Sequence, residues 1–464
     1  MTSNYLLSVF VIGALFGNGL AQAAADPFVP SDTEIRAILA DRIDNQRLGL
    51  GMVVGIIEPK GRRVIVYGKT DNDNHPLSGD TIFEIGGITK VFTALLLADM
   101  AQHHEVALTD PVAKYLPKSV TIPERSQRIT LQDLATHTSG LPRNPTDLTP
   151  KDPANPFADY TARQLYHFLA SYRLERDPGL ESDYSNLGFA VLGQALALHA
   201  GMSYEALVHS RIAVPLGMNS TGITLSREMN ARLASGHNWK LQPVSNWDFQ
   251  ALAGAGALRS TANDLLTFLA AQIGYSKSAL APAMAATLKV RRPTTTKSLE
   301  NALGWQISTF SENEIIEKNG SSISAGYNTF IGYDPKTRVG VVVLSDTFSL
   351  PGVSDIGLHL LNPSFPLRGR EQREVPVNPK LFDGYVGDYQ LSENVTVSIT
   401  RQGNRLLAQV TGQGKWEIFP ESDRNYFYRQ YDAQLVFETD DQGRATAVTL
   451  YYSGIGSRAK RVEK

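Results

Sequence analysis

Cysteine is absent from the 464 residues, which excludes disulfides and thiolate chemistry and is permitted in an oxidising compartment. Charge is sparse and balanced. Lys and Arg number 44 against 46 Asp and Glu, charged residues make up 19% of the chain, and no run of Lys and Arg occurs. A nucleic-acid surface has nothing to build on, so small molecules or peptides are the expected partners. Leu6 to Leu20 is apolar but too short for a comfortable membrane span, and no Lys or Arg precedes it. Ala21-Gln22-Ala23 then supplies a small-x-small pattern. Residues 1–23 therefore read as a signal peptide of a periplasmic or secreted protein, in preference to a membrane anchor.

What is present is ordinary globular composition, 42% hydrophobic, at a length that suits two domains. Ser31 is a helix cap before “DTEIRAILADRIDNQ”. “GMVVGIIEP” and “RRVIVYGKT” read as a hairpin turning at Pro59-Lys60-Gly61. Asp110 to about Thr261 mixes helices with Pro-rich loops, and strand-like segments return in “ALGWQIS”, “NTFIGYDP” and “RVGVVVLSD”. The pattern predicts an α/β (α+β) domain: an antiparallel sheet built from both ends of the segment, with helices packed on it and a helical insert. Residues 362–380, rich in Pro and charge, read as a linker. The short alternating runs of 381–464 read as a small antiparallel β domain, a meander or barrel.

Four stretches could carry chemistry. “FEIGGITKVFTALLLADM”, Phe83 to Met100, sets a Gly-containing turn before an apolar helix, with Lys90 one turn in. Side chains at 87 and 90 share a helical face. A serine there beside a lysine amine would be an activated nucleophile, with backbone N–H groups favouring an oxyanion. The residue at 87, however, is glycine. Tyr184-Ser185-Asn186 reads in isolation as a loop Tyr and an N-cap Asn. Lys318-Asn319-Gly320 could bind a carboxylate from a strand, Gly320 permitting close backbone approach, or could be a plain hairpin turn. “HTSGLPRNP”, opening at His137, reads as a loop lining the cleft, with His137 structural and not a base.

In this order and context the pieces resemble the serine β-lactamase and penicillin-binding-protein-like family, especially its class C β-lactamase, D,D-peptidase and related esterase branch. The family's Ser-x-x-Lys, Tyr-x-Asn and Lys-Thr-Gly stand here as Gly87…Lys90, Tyr184…Asn186 and Lys318-Asn319-Gly320. The scaffold is similar too, in “LATHTSGLP”, “YSNLGFAVLG”, “GAGALRSTANDLLTF” and “FIGYDP”, and the likeness runs from Ser31 to Leu361. The tail “LFDGYVGDYQLSENVTVSI” resembles the lipocalin-like domain appended to many members. The resemblance implies a serine-hydrolase domain at 24–361. It implies that residue 87 attacks a carbonyl while Lys90 and Tyr184 manage its proton. Asn186 would hydrogen-bond the acyl amide, Lys318 would pair with a substrate carboxylate, and the N–H groups of Gly87 and Ser321 would form the oxyanion hole. No metal or organic cofactor is called for.

Two departures follow. Gly87 offers no side chain for an acyl-enzyme, and Thr89 lies on the wrong side of the turn to replace it. Asn319 stands for the usual Thr, from which altered selectivity is expected. Ser457-Arg458-Ala459-Lys460 is a literal Ser-x-x-Lys without helical context, and counts as chance. The expected activity is acyl-enzyme hydrolysis of β-lactams or D-amino-acid peptides by this lineage, with Gly87 at the nucleophile position. The alternatives are an esterase of the same family, hydrolysis by direct attack of water, and a binding pseudoenzyme for peptidoglycan fragments or β-lactams.

Overall fold

The computed structural model describes residues 29–462, apart from 72–74, 297, 311–312, 323, 350, 368–373, 393–394, 413, 429–432 and 453–454. The expected signal peptide, 1–23, lies outside the described residues. Among those residues, no helix is long and apolar enough to cross a membrane.

Among the described residues, twelve strands belong to the first part of the chain: β1 (Gly51–Glu58), β2 (Gly61–Gly68), β3 (Ile82–Glu84), β4 (Gly236–His237), β5 (Pro243–Val244), β6 (Arg259–Thr261), β7 (Arg292–Pro293), β8 (Leu299–Asn301), β9 (Gln306–Phe310), β10 (Asn313–Ser322), β11 (Tyr327–Asp334) and β12 (Val339–Ser345). Eight of them form one antiparallel sheet in the order β2-β1-β12-β11-β10-β9-β8-β7, so both ends of the segment pair within it, β1 beside β12, as expected. β11 and β12 are buried at every position. The reason is that helices cover both faces. Helix Ala262–Ile273 packs on β1 and β12 from one side, and helix Ser354–Leu361 on β11 and β12 from the other. This is why β12 reads as a near-continuous apolar run instead of alternating.

Local chemistry sets the ends. Ser31 Oγ accepts from the Glu34 N–H while the Glu34 carboxylate accepts from the Ser31 N–H, a capping box that starts helix Asp32–Ala40. β1 turns into β2 through Pro59 and Lys60, with Glu58 opposite Gly61. Beneath the sheet, the Arg42 guanidinium donates to the Asp355 carboxylate and the Gly352 carbonyl, and the two side chains of the ion pair are only 2% and 3% exposed.

The tail closes into a barrel of eight consecutive strands, β13 (Gly387–Ser392), β14 (Val395–Gln402), β15 (Arg405–Val410), β16 (Lys415–Pro420), β17 (Asn425–Tyr428), β18 (Ala433–Thr439), β19 (Ala445–Tyr452) and β20 (Ile455–Arg461). Its core is aromatic, with Tyr385 stacked on Phe437 at 4.4 Å and Tyr426 edge-on to both. Among the described residues, the closing seam, β13 with β20, pairs Tyr389 with Arg461 and Gln390 with Lys460. Arg461 reinforces it by donating to the Gly384, Val386 and Ala445 carbonyls. Ser457 and Lys460 sit on β20. That literal motif therefore lies on a strand and not at a helix start.

Replacing Arg42 by Met is expected to cost about 3–5 kcal/mol in urea unfolding, because it leaves the Asp355 carboxylate buried without its cation. The double variant Arg42→Met, Asp355→Leu should recover most of that loss. A single variant as stable as the parent would show that the pair is dispensable.

Candidate active site

The turn Gly86–Ile88 is a single turn of 3-10 helix that runs directly into helix Thr89–Gln102. Gly86 has φ +48, a left-handed conformation that glycine tolerates. The helix is buried from Thr89 through Met100, which makes Lys90 a core residue, 1% exposed, and not a solvent-facing lysine. Its Nζ donates to Asn186 Oδ1 at 2.8 Å and to the Ala255 carbonyl at 2.7 Å. Burial, and after it the charge of Arg143, holds the Lys90 amine well below its ordinary pKa. Ala255 reaches it because helix Ala253–Gly256 crosses helix Asn186–Ala200 at Gly254 and Gly193. A Cβ at 254 would stand 2.6 Å from the Phe189 carbonyl oxygen.

Ser185, not Asn186, caps the second helix. Its Oγ accepts from the Gly188 N–H at 2.8 Å, so Asn186 becomes the first helical residue. Its amide is thereby released from capping. Nδ2 donates to Asn144 Oδ1 at 2.9 Å, while Oδ1 holds Lys90. An amide has two N–H groups and two oxygen lone pairs, so Asn186 retains one of each for a ligand.

His137 sits behind Tyr184 at φ +62, their rings stacked at 4.5 Å. Its Nδ1 accepts from the Ser185 N–H, which assigns the proton of the neutral ring to Nε2, a buried atom with no hydrogen-bond partner among the described residues. Burial, then Lys318, Lys90 and Arg143, pushes the imidazole pKa well below its usual value. The ring acts as a neutral backing for Tyr184.

Lys318 lies on β10, opposite Ile331 of β11, and is 1% exposed. Burial is the main cause that lowers its amine to about 8, with Lys90 adding to the effect and Tyr184 and Glu317 opposing it. The alternation of the strand separates Lys318 and Gly320, which are buried, from Asn319 and Ser321, which are exposed. Asn319 turns its amide toward Ser354 Oγ at 3.4 Å, on the helix beneath the sheet. It is the Asn319 carbonyl, and not its amide, that meets the turn. Ser321 Oγ accepts from Asn328 Nδ2 at 2.9 Å.

Turn and strand touch backbone to backbone. A Cβ on Gly320 would stand 2.2 Å from the Ile85 carbonyl oxygen and 2.9 Å from the Gly87 nitrogen. A Cβ on Gly87 would lie 2.6 Å from the Asn319 carbonyl oxygen and 3.4 Å from the Tyr184 hydroxyl. Position 87 thus faces Tyr184, with Lys90 one turn on. Thr89 is fully buried, and its Oγ1 accepts from the Leu258 N–H.

The Beta-lactamase family matches residues 35–360. The chain belongs to that family. A Domain of unknown function (DUF3471) matches residues 371–460. D-alanyl-D-alanine-carboxypeptidase/endopeptidase AmpH of Escherichia coli (strain K12) is 30% identical over 340 residues, 70% of this chain and 86% of the relative. Penicillin-binding protein 4* of Bacillus subtilis (strain 168) is 24% identical over 417 residues, 84% of this chain and 90% of the relative. Among solved structures, the beta-lactamase/D-alanine carboxypeptidase from Yersinia pestis superposes with a TM-score of 0.59 at 26% identity, covering 68% of this chain and 94% of that one. The octameric penicillin-binding protein homologue from Pyrococcus abyssi gives a TM-score of 0.63 and covers 93% of this chain and 100% of that one. At 20% identity, it speaks for the fold alone. Members of this family are serine hydrolases.

Sequence reasoning did not single out Asn144, Arg143 or the Ala255 carbonyl. The first two follow “GLP” in a loop read only as structural, and a backbone carbonyl carries no side-chain signature.

Gly87→Ala is expected to cost about 1–3 kcal/mol of stability, because its methyl meets strand backbone and not a flexible side chain. Thermal melting measures this. A variant that melts at the parent temperature would mean that β10 yields freely at Asn319.

Proposed function

We propose that this chain is an exported binding protein for D-amino-acid peptides or β-lactam-like ligands with a free carboxylate, built on the family's hydrolase site but without its acyl-enzyme step. The observation that carries this reading is the fit around Gly87. The Asn319 carbonyl oxygen stands 2.6 Å from where any Cβ would be, so turn and strand are packed against a glycine. An otherwise competent hydrolase that had merely lost its hydroxyl would keep room for serine.

The recognition groups argue for a ligand all the same. Lys318 is buried and charged below about pH 8, with no carboxylate hydrogen-bonded to it among the described residues. An uncompensated buried ammonium is costly unless an anion arrives. Asn186 retains an N–H and a lone pair for a ligand amide. The N–H groups of Gly87 and Ser321 would be the donors to a ligand carbonyl oxygen. The leader “LLSVFVIGALFGNGL” followed by Ala21-Gln22-Ala23 supports export. The hydrolase reading of the lineage rests on Lys90 and on the Tyr184 hydroxyl, 3.4 Å from the projected Cβ at 87.

A fluorophosphonate probe and a chromogenic cephalosporin distinguish the two readings. The protein as it stands should neither label nor turn over, since loss of the nucleophile costs about 10⁶ in turnover. It should nevertheless bind acetyl-D-Ala-D-Ala in calorimetry. Labelling or turnover by the protein as it stands would sink the proposal.

Binding should also report on Lys318. The lysine is protonated below about pH 8 and loses its charge above it, so carboxylate affinity should fall as pH rises through that value, with the midpoint displaced upward by the bound anion. Lys318→Met should be weaker and flat with pH. A parent profile that is flat from pH 7 to pH 9 would remove Lys318 from the recognition of the carboxylate.

A further inference from the structure

The Tyr184 ring is surrounded by cations. Lys90 Nζ lies 5.0 Å from its centre, Lys318 Nζ 5.3 Å and the Arg143 guanidinium carbon 4.8 Å. The two lysines are buried, and the neutral His137 ring stacks on the same tyrosine. Arg143 differs from them in being exposed, which puts it at the mouth of the site. Among the described residues, no Asp or Glu forms an ion pair with any of these three cations. One ligand carboxylate can answer Lys318. It leaves Arg143 unanswered.

Arg143 is also pre-organised. Its carbonyl accepts from the N–H groups of Asn186 and Leu187 at 2.8 and 3.2 Å, and the neighbouring Leu141 is 1% exposed. The backbone that carries it is thus tied to the start of helix Asn186–Ala200. A guanidinium resting near an aromatic ring keeps its N–H edge open for bidentate contact with a carboxylate.

We propose that Arg143 is a second anion-recognising residue, so that the preferred ligands carry two carboxylates: the terminal one facing Lys318 and another on the acyl side of the peptide. This deepens the binding reading above and rests on it. The distances to the ring centre cap the separation of the two cationic groups at about 10 Å. A two-residue peptide with a short dicarboxylic acid on its amine spans that gap when extended.

Calorimetry with three probes tests the assignment: acetyl-D-Ala-D-Ala with one carboxylate, succinyl-D-Ala-D-Ala with two, and its succinamoyl analogue with the second acid converted to an amide. The parent should bind the succinyl peptide about ten- to a hundred-fold more tightly than the succinamoyl one. Arg143→Gln should erase that ratio, and Arg143→Lys should restore part of it. Lys318→Met should weaken all three probes. Equal binding of the succinyl and succinamoyl peptides by the parent, or a ratio that survives Arg143→Gln, would overturn the role of Arg143 and leave the carboxylate site intact. Failure of the parent to bind any of the three would overturn the binding reading and this proposal together.

Discussion

Backbone contact between the turn Gly86–Ile88 and strand β10 is the constraint on which the site depends. Side chains cannot enter it. Gly320 admits the Ile85 carbonyl, and Gly87 admits the Asn319 carbonyl. Through this contact the turn at the head of helix Thr89–Gln102 is fixed against the central sheet. The same contact brings Lys90 and Lys318, 228 residues apart in sequence, to one tyrosine ring. Thr329 strengthens it from the next strand by donating its hydroxyl proton to the Ile85 carbonyl at 3.0 Å.

The electrostatic character of the site follows from burial. Two lysines with little water around them repel each other and resist protonation, and the chain supplies Lys90 with a neutral amide and a carbonyl acceptor in place of a carboxylate. Glu317, the neighbour of Lys318 on the strand, is buried and accepts from Ser308, and burial raises its own pKa. The site is therefore short of negative charge by construction. Such a surface draws anions toward it, and the screening by salt is weaker where the charges are buried.

Much of this was legible in the sequence, for identifiable reasons. The capping box at Ser31, the hairpin at Pro59-Lys60 and the β-rich tail depend on short-range chemistry that adjacent residues reveal. The convergence of Lys90, Tyr184 and Lys318 was legible only through resemblance, because no local rule links segments so far apart. β10 escaped periodicity, since Glu317 and Lys318 are buried polar residues that interrupt its apolar pattern. The capping role fell to Ser185 and not Asn186 because both are good caps, and tertiary bonds to Lys90 and Asn144 decide between them. The tightness around Gly87 was invisible as well. A glycine in the sequence tells nothing of what leans on it.

The sheet has a kinetic consequence. β1 pairs with β12, and the Leu50 N–H donates to the Thr347 hydroxyl across 297 residues of chain. The centre of the domain cannot assemble until that whole interval has been synthesised, so the helical insert must wait without its sheet. Pairings of such long range fold slowly. A chain that remains open this long can be threaded through a narrow passage before it closes, and it is also exposed to aggregation while it waits.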